Sequence, residues 1–300
     1  MAPTRAKTPP FSHDLFAMSD VEVLRLAAFT DDPEGGNPAG LVMDASELSD
    51  EQMQQLAAEV GYSETAFLFP DPDSDTEFSV RYFSPVKEVD FCGHATIAAG
   101  VVLGRTFGDG VYELSTNVGL VPIDVTVAGP NVVATLTSPE VTTEPLEEDL
   151  LDALLAALDW EFDDLDPRFI PALANAGTNH PVLVAGSRRR LSALDYEWDD
   201  LAELMREQDW LTIQIVFPKE GDPHQRLWFS RNPNPSNGTY ESPATGSAAA
   251  ALGGFFRDYG IYGKGEHLTI MQGDDMGRPS TILLTLAGNV MRITGSAVNL

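Results

Sequence analysis

Cysteine is almost absent: Cys92 is the single one in 300 residues. That excludes an intramolecular disulfide framework and any zinc site built from several thiolates, and it points to a cytoplasmic protein. Lysine is nearly as scarce, with only Lys7, Lys87, Lys219 and Lys264, and 18 basic residues stand against 46 acidic ones for a net charge of −28. A chain without basic patches is poorly equipped for phosphate backbones, so nucleic acid and anionic membrane are not expected partners. No apolar run reaches the ~18 residues of a membrane span, and residues 1–17 lack both a continuous apolar stretch and a small-residue cleavage pattern. A dinucleotide fingerprint after a strand, a Walker loop and metal-ligand spacing are also missing, so no cofactor and no metal are implied.

What is present is ordinary globular composition, 43% hydrophobic and 21% charged, with an unusual charge sign. A dense carboxylate surface poor in lysine suits molar salt, where the Debye length shrinks to about 3 Å and self-repulsion is screened. A halophilic, salt-rich cytoplasm is therefore the expected setting.

The length favours two domains over one core. Residues 1–20 read as a tail. Residues 21–29 read as a strand and the Gly-, Pro- and Asp-rich TDDPEGGNPAG as a loop. Ser49 and Gln52 form a capping box ahead of an apolar stripe at Met53, Leu56, Ala57 and Val60, with Gly61 ending the helix. Strands are expected at 66–69, 76–83 and 121–127. Between them, HATIAAGVVLG at 94–104 has no polar face, which predicts a helix buried on all sides.

The acidic, Pro-containing stretch at 138–145 marks a domain boundary. The second half repeats the plan: helices at about 146–158 and 199–207, strands at 181–185, 211–217 and 226–230, a second apolar helix at 244–256, and strands at 267–272, 281–287 and 290–294. This gives an N-terminal half at 21–140, completed by 288–300, and a C-terminal half at 141–287, related by a pseudo-twofold repeat. The two apolar helices open alike, with Cys92-Gly93-His94-Ala95-Thr96 and Ala244-Thr245-Gly246-Ser247-Ala248. Free amides at such helix starts attract anions, and glycine lets a ligand approach the backbone. Tight packing of small residues inside a barrel accounts for the same pattern.

Five motifs, in order, resemble the PhzF-like phenazine-biosynthesis family: Gly36-Asn37-Pro38-Ala39, Ser63-Glu64-Thr65, Phe91-Cys92-Gly93-His94-Ala95-Thr96, Pro243-Ala244-Thr245-Gly246-Ser247-Ala248 and Gln272-Gly273-Asp274-Asp275-Met276-Gly277-Arg278-Pro279-Ser280. The resemblance runs from about residue 21 to the end. It implies the α+β, diaminopimelate-epimerase-like fold: two pseudo-symmetric halves, each a strand-rich barrel around a central helix, with a site in the cleft and a homodimer. It implies that Glu64 is the general acid/base of a cofactor-independent isomerase acting on a small carboxylate-bearing substrate. Burial in a closed cleft would raise its pKa toward neutrality. It places His94 in the catalytic site, with Ser63, Gly93, Ser242, Gly246 and Ser247 around the substrate. Asn37-Pro38 becomes a cleft-shaping loop, and the motif around Arg278 is mainly structural.

Two departures bear on substrate. The related amino-acid epimerases pair one cysteine from each half, and the position opposite Cys92 falls at Pro243-Ala244, which argues against two-thiol racemisation. Where the family commonly has an aspartate, this chain has Ser242, and a serine carries no charge near neutral pH; Glu241 replaces it only if the loop shifts. An amino-acid racemase or epimerase, and a non-catalytic binding protein on the same fold, are the rival readings. A catalytic cleft should bury Glu64 beside both helix ends, whereas a binding module leaves it exposed or paired with arginine.

Overall fold

A computed structural model describes residues 21–300, so the expected tail at 1–20 lies outside the described residues. Among the described residues six α-helices run in order: α1 (Asp50–Val60), α2 (Gly93–Phe107), α3 (Glu148–Ala157), α4 (Arg188–Ser192), α5 (Trp198–Glu207) and α6 (Gly246–Asp258). The Ser49/Gln52 capping box starts α1, and Gly61 ends it in the left-handed region at φ 72°.

The internal repeat appears in the order of strand pairing. In the first half, Leu24–Ala28 pairs antiparallel with Asn37–Val42, which runs parallel to Thr65–Pro70, antiparallel to Glu77–Phe83 in turn, then parallel to Gly110–Thr116, then antiparallel through Gly119–Ala128 to Asn131–Thr137. The second half repeats that series of signs through Ala172–Asn175, Asn179–Val184, Gln214–Pro218, Leu227–Arg231, His267–Gln272, Ser280–Ala287 and Val290–Gly295. Each parallel step needs a crossover, and the second parallel step of each half is bridged by the apolar helix, α2 or α6.

Both helices are enclosed. Residues 94–104 of α2 and 248–256 of α6 are buried. Strands 24–28, 37–42, 65–70, 119–128, 131–137 and 297–299 pack around α2, and strands 142–145, 172–175, 179–184, 280–287 and 290–295 around α6. Glycines let the walls close in: a Cβ at Gly100 would lie 2.4 Å from Ile123 Cδ1, at Gly104 2.4 Å from Val125 Cγ1, at Gly253 2.7 Å from Met291 Sδ and at Gly254 2.3 Å from Val141 Cγ1. The end of the chain returns to the first half, where Ala297–Asn299 pairs with Leu24–Ala28, and Val290–Gly295 also pairs with Asn131–Thr137.

Two segments differ from the sequence reading. Residues 37–40, read as the end of a loop for their Gly and Pro, open the strand Asn37–Val42, which is paired on both sides because Leu24–Ala28 and Thr65–Phe67 supply partners that outweigh local propensity. Within the stretch marked for the boundary, Thr142–Pro145 forms an edge strand against Ala172–Asn175.

Candidate active site

The crossovers carry the two helix starts and the turn before Thr65–Pro70 to the chemistry-bearing residues. Glu64 follows the end of α1, and its carbonyl accepts from the Gly40 amide at 3.1 Å. Gly40 is needed there, since a Cβ would stand 2.5 Å from Thr65 Oγ1. Cys92 caps α2 in extended conformation and His94 lies in its first turn.

These residues meet. Glu64 Oε2 lies 3.5 Å from His94 Nε2 and 3.5 Å from Cys92 Sγ. Cys92 Sγ is 3.3 Å from His94 Nδ1, and Ser63 Oγ is 3.4 Å from His94 Nε2. The sequence reading gave His94 no companion with a metal-binding atom; the fold supplies two, Cys92 and Glu64, because it brings together residues 28 positions apart. Burial lowers the His94 pKa and so favours the neutral imidazole, partly opposed by Glu64 and the Pro38 carbonyl. Burial pushes the Cys92 thiol well up, reinforced by the Glu64 charge, so it is a protonated thiol. Among the described residues Glu64 has no arginine partner, and its side chain is 23% exposed, neither fully buried nor paired off with arginine.

The start of α6 carries Gly246 and Ser247, and neither Cys92 nor Thr245 makes a side-chain capping bond to its helix. The first amides of α6 and the Gly93 amide of α2 are thus left for another acceptor, while the His94 and Ala95 amides face the Cys92 sulfur. Gly93 and Gly246 differ from the packing glycines. A Cβ at Gly93 would meet nothing closer than Phe91 at 3.9 Å, and at Gly246 nothing closer than Ile293 at 3.7 Å, and neither has positive φ. Neither packing nor backbone geometry requires glycine at these two positions.

Asn37 joins the halves: its buried Nδ2 donates to the Ala244 carbonyl at 2.9 Å. Arg278 donates to the carbonyls of Gly35 and Gly36, so this guanidinium braces the loop before Asn37. Ser242 is held through its backbone, its amide donating to Asn232 O and its carbonyl accepting from Gln272 Nε2 at 2.8 Å. Glu241 does not take the place of the family aspartate. It is locked to Arg231 by paired hydrogen bonds, with side chains 2% and 7% exposed.

His180, set aside in the sequence for lack of motif company, stands behind Ser247. Its Nε2 is 3.1 Å from Ser247 Oγ and 2.9 Å from Thr178 Oγ1, and its Nδ1 is 2.9 Å from Thr212 Oγ1. Thr212 donates to Asn232 Oδ1 while Asn232 Nδ2 donates to Gln214, so Thr212 accepts from Nδ1–H. His180 Nε2 is then the acceptor, with the Thr178 and Ser247 hydroxyls both within hydrogen-bond reach of its lone pair. Burial lowers the His180 pKa to about 4, which keeps this arrangement neutral. The start of α6 therefore offers neutral groups, and the titratable cluster belongs to α2.

A wide, open surface depression lined by Asp50, Gln54, Arg81, Phe83 and Glu88 lies elsewhere, against α1.

Comparison with known proteins identifies the fold and the family. A family model described as phenazine biosynthesis-like protein matches residues 26–300. The uncharacterized isomerase YfhB of Bacillus subtilis is 29% identical over 94% of this chain and 97% of its own length. The trans-2,3-dihydro-3-hydroxyanthranilate isomerase of Pseudomonas aeruginosa is 28% identical over 91% of this chain and 92% of its own. Among solved structures, a phenazine biosynthesis protein of the PhzF family from Bacillus anthracis superposes with a TM-score of 0.82 at 23% identity, covering 93% of this chain and 97% of that one. A probable proline racemase from Agrobacterium radiobacter shares the fold at a TM-score of 0.62 and 12% identity, covering 93% and 91%. The architecture is thus the α+β, diaminopimelate-epimerase-like fold that the motifs implied, and the chain belongs to the phenazine biosynthesis-like PhzC-PhzF family of isomerases.

Proposed function

We propose that this isomerase moves one proton, and with it a double bond, within a small carboxylate-bearing substrate, with Glu64 as general acid/base. The observation that carries the reading is a single carboxylate placed beside the start of α2, where Gly93 leaves space that the protein itself does not fill. The Glu64 carboxylate takes a proton from a carbon next to an unsaturated or carboxylate group. The electron pair shifts along the conjugated system, and the same carboxyl returns the proton to another carbon on the same face. Negative charge that develops on the way is met by the Gly93 amide at the start of α2 and the uncapped first amides of α6. Neutral His94 and Ser63 hold the ligand beside Glu64 without adding charge. The cycle uses acid/base chemistry alone and calls for no cofactor.

Ser242 and Ser247 shape the other side of the substrate. With its hydroxyl beside a neutral His180, Ser247 offers that side an uncharged hydrogen-bonding group for a ligand hydroxyl or amino group. A neutral Ser242 distinguishes this site from one built around a carboxylate, so the substrate differs in charge or hydrogen bonding from that of relatives with aspartate there.

The test is proton exchange. In D₂O at high salt, with a panel of small unsaturated acids and amino acids, wild type incorporates deuterium into one compound and moves its double bond, while Glu64→Gln does neither. Exchange with racemisation, or equal exchange by Glu64→Gln, removes the one-carboxylate mechanism.

A further inference from the structure

We propose that Glu64, Cys92 and His94 form a binding site for a divalent cation of the zinc class, with three protein ligands and a fourth position open. The three ligand atoms make a triangle: Cys92 Sγ to Glu64 Oε2 is 3.5 Å, Glu64 Oε2 to His94 Nε2 is 3.5 Å, and His94 Nε2 to Cys92 Sγ is 3.8 Å. A tetrahedral zinc with its usual bonds to sulfur, nitrogen and oxygen sets neighbouring ligand atoms about 3.4–3.6 Å apart. The triangle therefore matches one face of that tetrahedron, its longest edge relaxing with a small rotation of the imidazole. As a hydrogen bond the carboxylate–imidazole contact is long, since charge-assisted pairs close to about 2.7–2.9 Å.

The donor set is one thiol, one imidazole and one carboxylate, which suits a borderline-soft ion over magnesium or calcium. Two of the donors sit in the N-terminal turn of one buried helix, so their spacing is fixed before any ion arrives. On binding, the sulfur–metal bond forms as the thiol loses its proton to solvent, and the ion's charge offsets both the new thiolate and Glu64. An ion there occupies Glu64, so metal binding and proton transfer exclude each other; that consequence rests on the proposed function, whereas the site does not.

Cobalt(II) titration of the full chain in molar KCl decides it, because Cys92 is the single cysteine and a thiolate-to-cobalt charge-transfer band reports this site alone. The expected result is a band saturating at one cobalt per chain, displaced by one equivalent of zinc and unaffected by excess magnesium. Cys92→Ser removes the band while the far-ultraviolet circular dichroism stays unchanged. Glu64→Gln and His94→Gln each weaken cobalt by at least the roughly 10–100-fold that even outer-shell changes cost. No band at millimolar cobalt, or a band whose affinity is the same in the Glu64 and His94 variants, overturns the site. Loss of deuterium exchange from the wild type without added metal speaks only to the isomerase reading, and the cobalt band is read independently of it.

Discussion

Four alanine substitutions separate glycines that pack from glycines that leave room. At Gly104 the new methyl would stand 2.4 Å from Val125 Cγ1 and 2.8 Å from Val132 Cγ1, and at Gly254 2.3 Å from Val141 Cγ1. Overpacking of that kind costs about 1–3 kcal/mol, against a gain of up to ~1 kcal/mol from replacing glycine inside a helix. Gly104→Ala and Gly254→Ala should each lose about 1–2 kcal/mol in urea unfolding at molar KCl. Gly93→Ala and Gly246→Ala meet only ordinary contacts at 3.9 and 3.7 Å, so stability should stay level or rise by up to ~1 kcal/mol. Activity should move the other way. A methyl over the first amides keeps an anionic ligand from hydrogen bonds worth about 1.5–3 kcal/mol each. The deuterium-exchange rate should then fall by about 10–100-fold in both. Wild-type exchange by Gly93→Ala would show that the start of α2 holds no ligand, and destabilisation equal to that of Gly104→Ala would show that the space was filled.

Removing Glu241 leaves Arg231 buried without its counter-charge, so Glu241→Ala should cost about 3–5 kcal/mol, while Arg231→Met with Glu241→Leu recovers most of it; a small cost for Glu241→Ala alone in urea titration contradicts the buried pair. His180 has a folded pKa of about 4 against 6.5 in the unfolded chain, so the unfolded state takes up the proton first as pH falls. Its contribution is whole above pH 6.5 and is lost between there and about 4, on the order of 3 kcal/mol, and His180→Asn should flatten that part of the wild-type stability–pH curve. Asn37→Ala deletes the buried donor to Ala244 and should lower stability by roughly 1–3 kcal/mol, measured by thermal melting, with Asn37→Asp no better because it leaves no amide to donate. With a net charge of −28, the urea midpoint should fall as KCl is lowered from about 1 M to 0.1 M and the Debye length grows from about 3 to 10 Å; a flat response contradicts the salt-adapted reading.

How much was legible follows from how local each signal is. The two central helices were readable because apolarity on every side has no other soluble explanation, and α1 because its cap and stripe lie within a dozen residues. Asn37–Val42 was not, because its strand character comes from partners on both edges and its Asn37 amide is satisfied 207 residues away. The same distinction divides the site. Glu64 and His94 were visible through their motifs, but their meeting with Cys92 at one point depends on the crossover that returns α2 beside Thr65–Pro70. His180 carried no motif, since apart from neighbouring Thr178 its partners Thr212 and Ser247 lie 32 and 67 residues along the chain.

The repeat also constrains the chemistry. A fold with two equivalent helix starts can place a base on each side of a substrate, and inversion at carbon uses both: one removes the proton and the other delivers a new one to the opposite face. In this chain the symmetry of the backbone is kept and the symmetry of the chemistry is not. Around α2 stand a carboxylate, a thiol and an imidazole; around α6 stand serines and a histidine kept neutral by burial, and the nearby Glu241 is committed to Arg231. In the proposed mechanism a proton taken by Glu64 meets no second charged base among the described residues at the start of α6, so it returns from the side it left. Return to the same carbon changes nothing, whereas return to another carbon of a conjugated system moves the double bond. One-sided proton transfer therefore favours isomerisation over racemisation, and the neutral start of α6 is as much a part of that preference as Glu64.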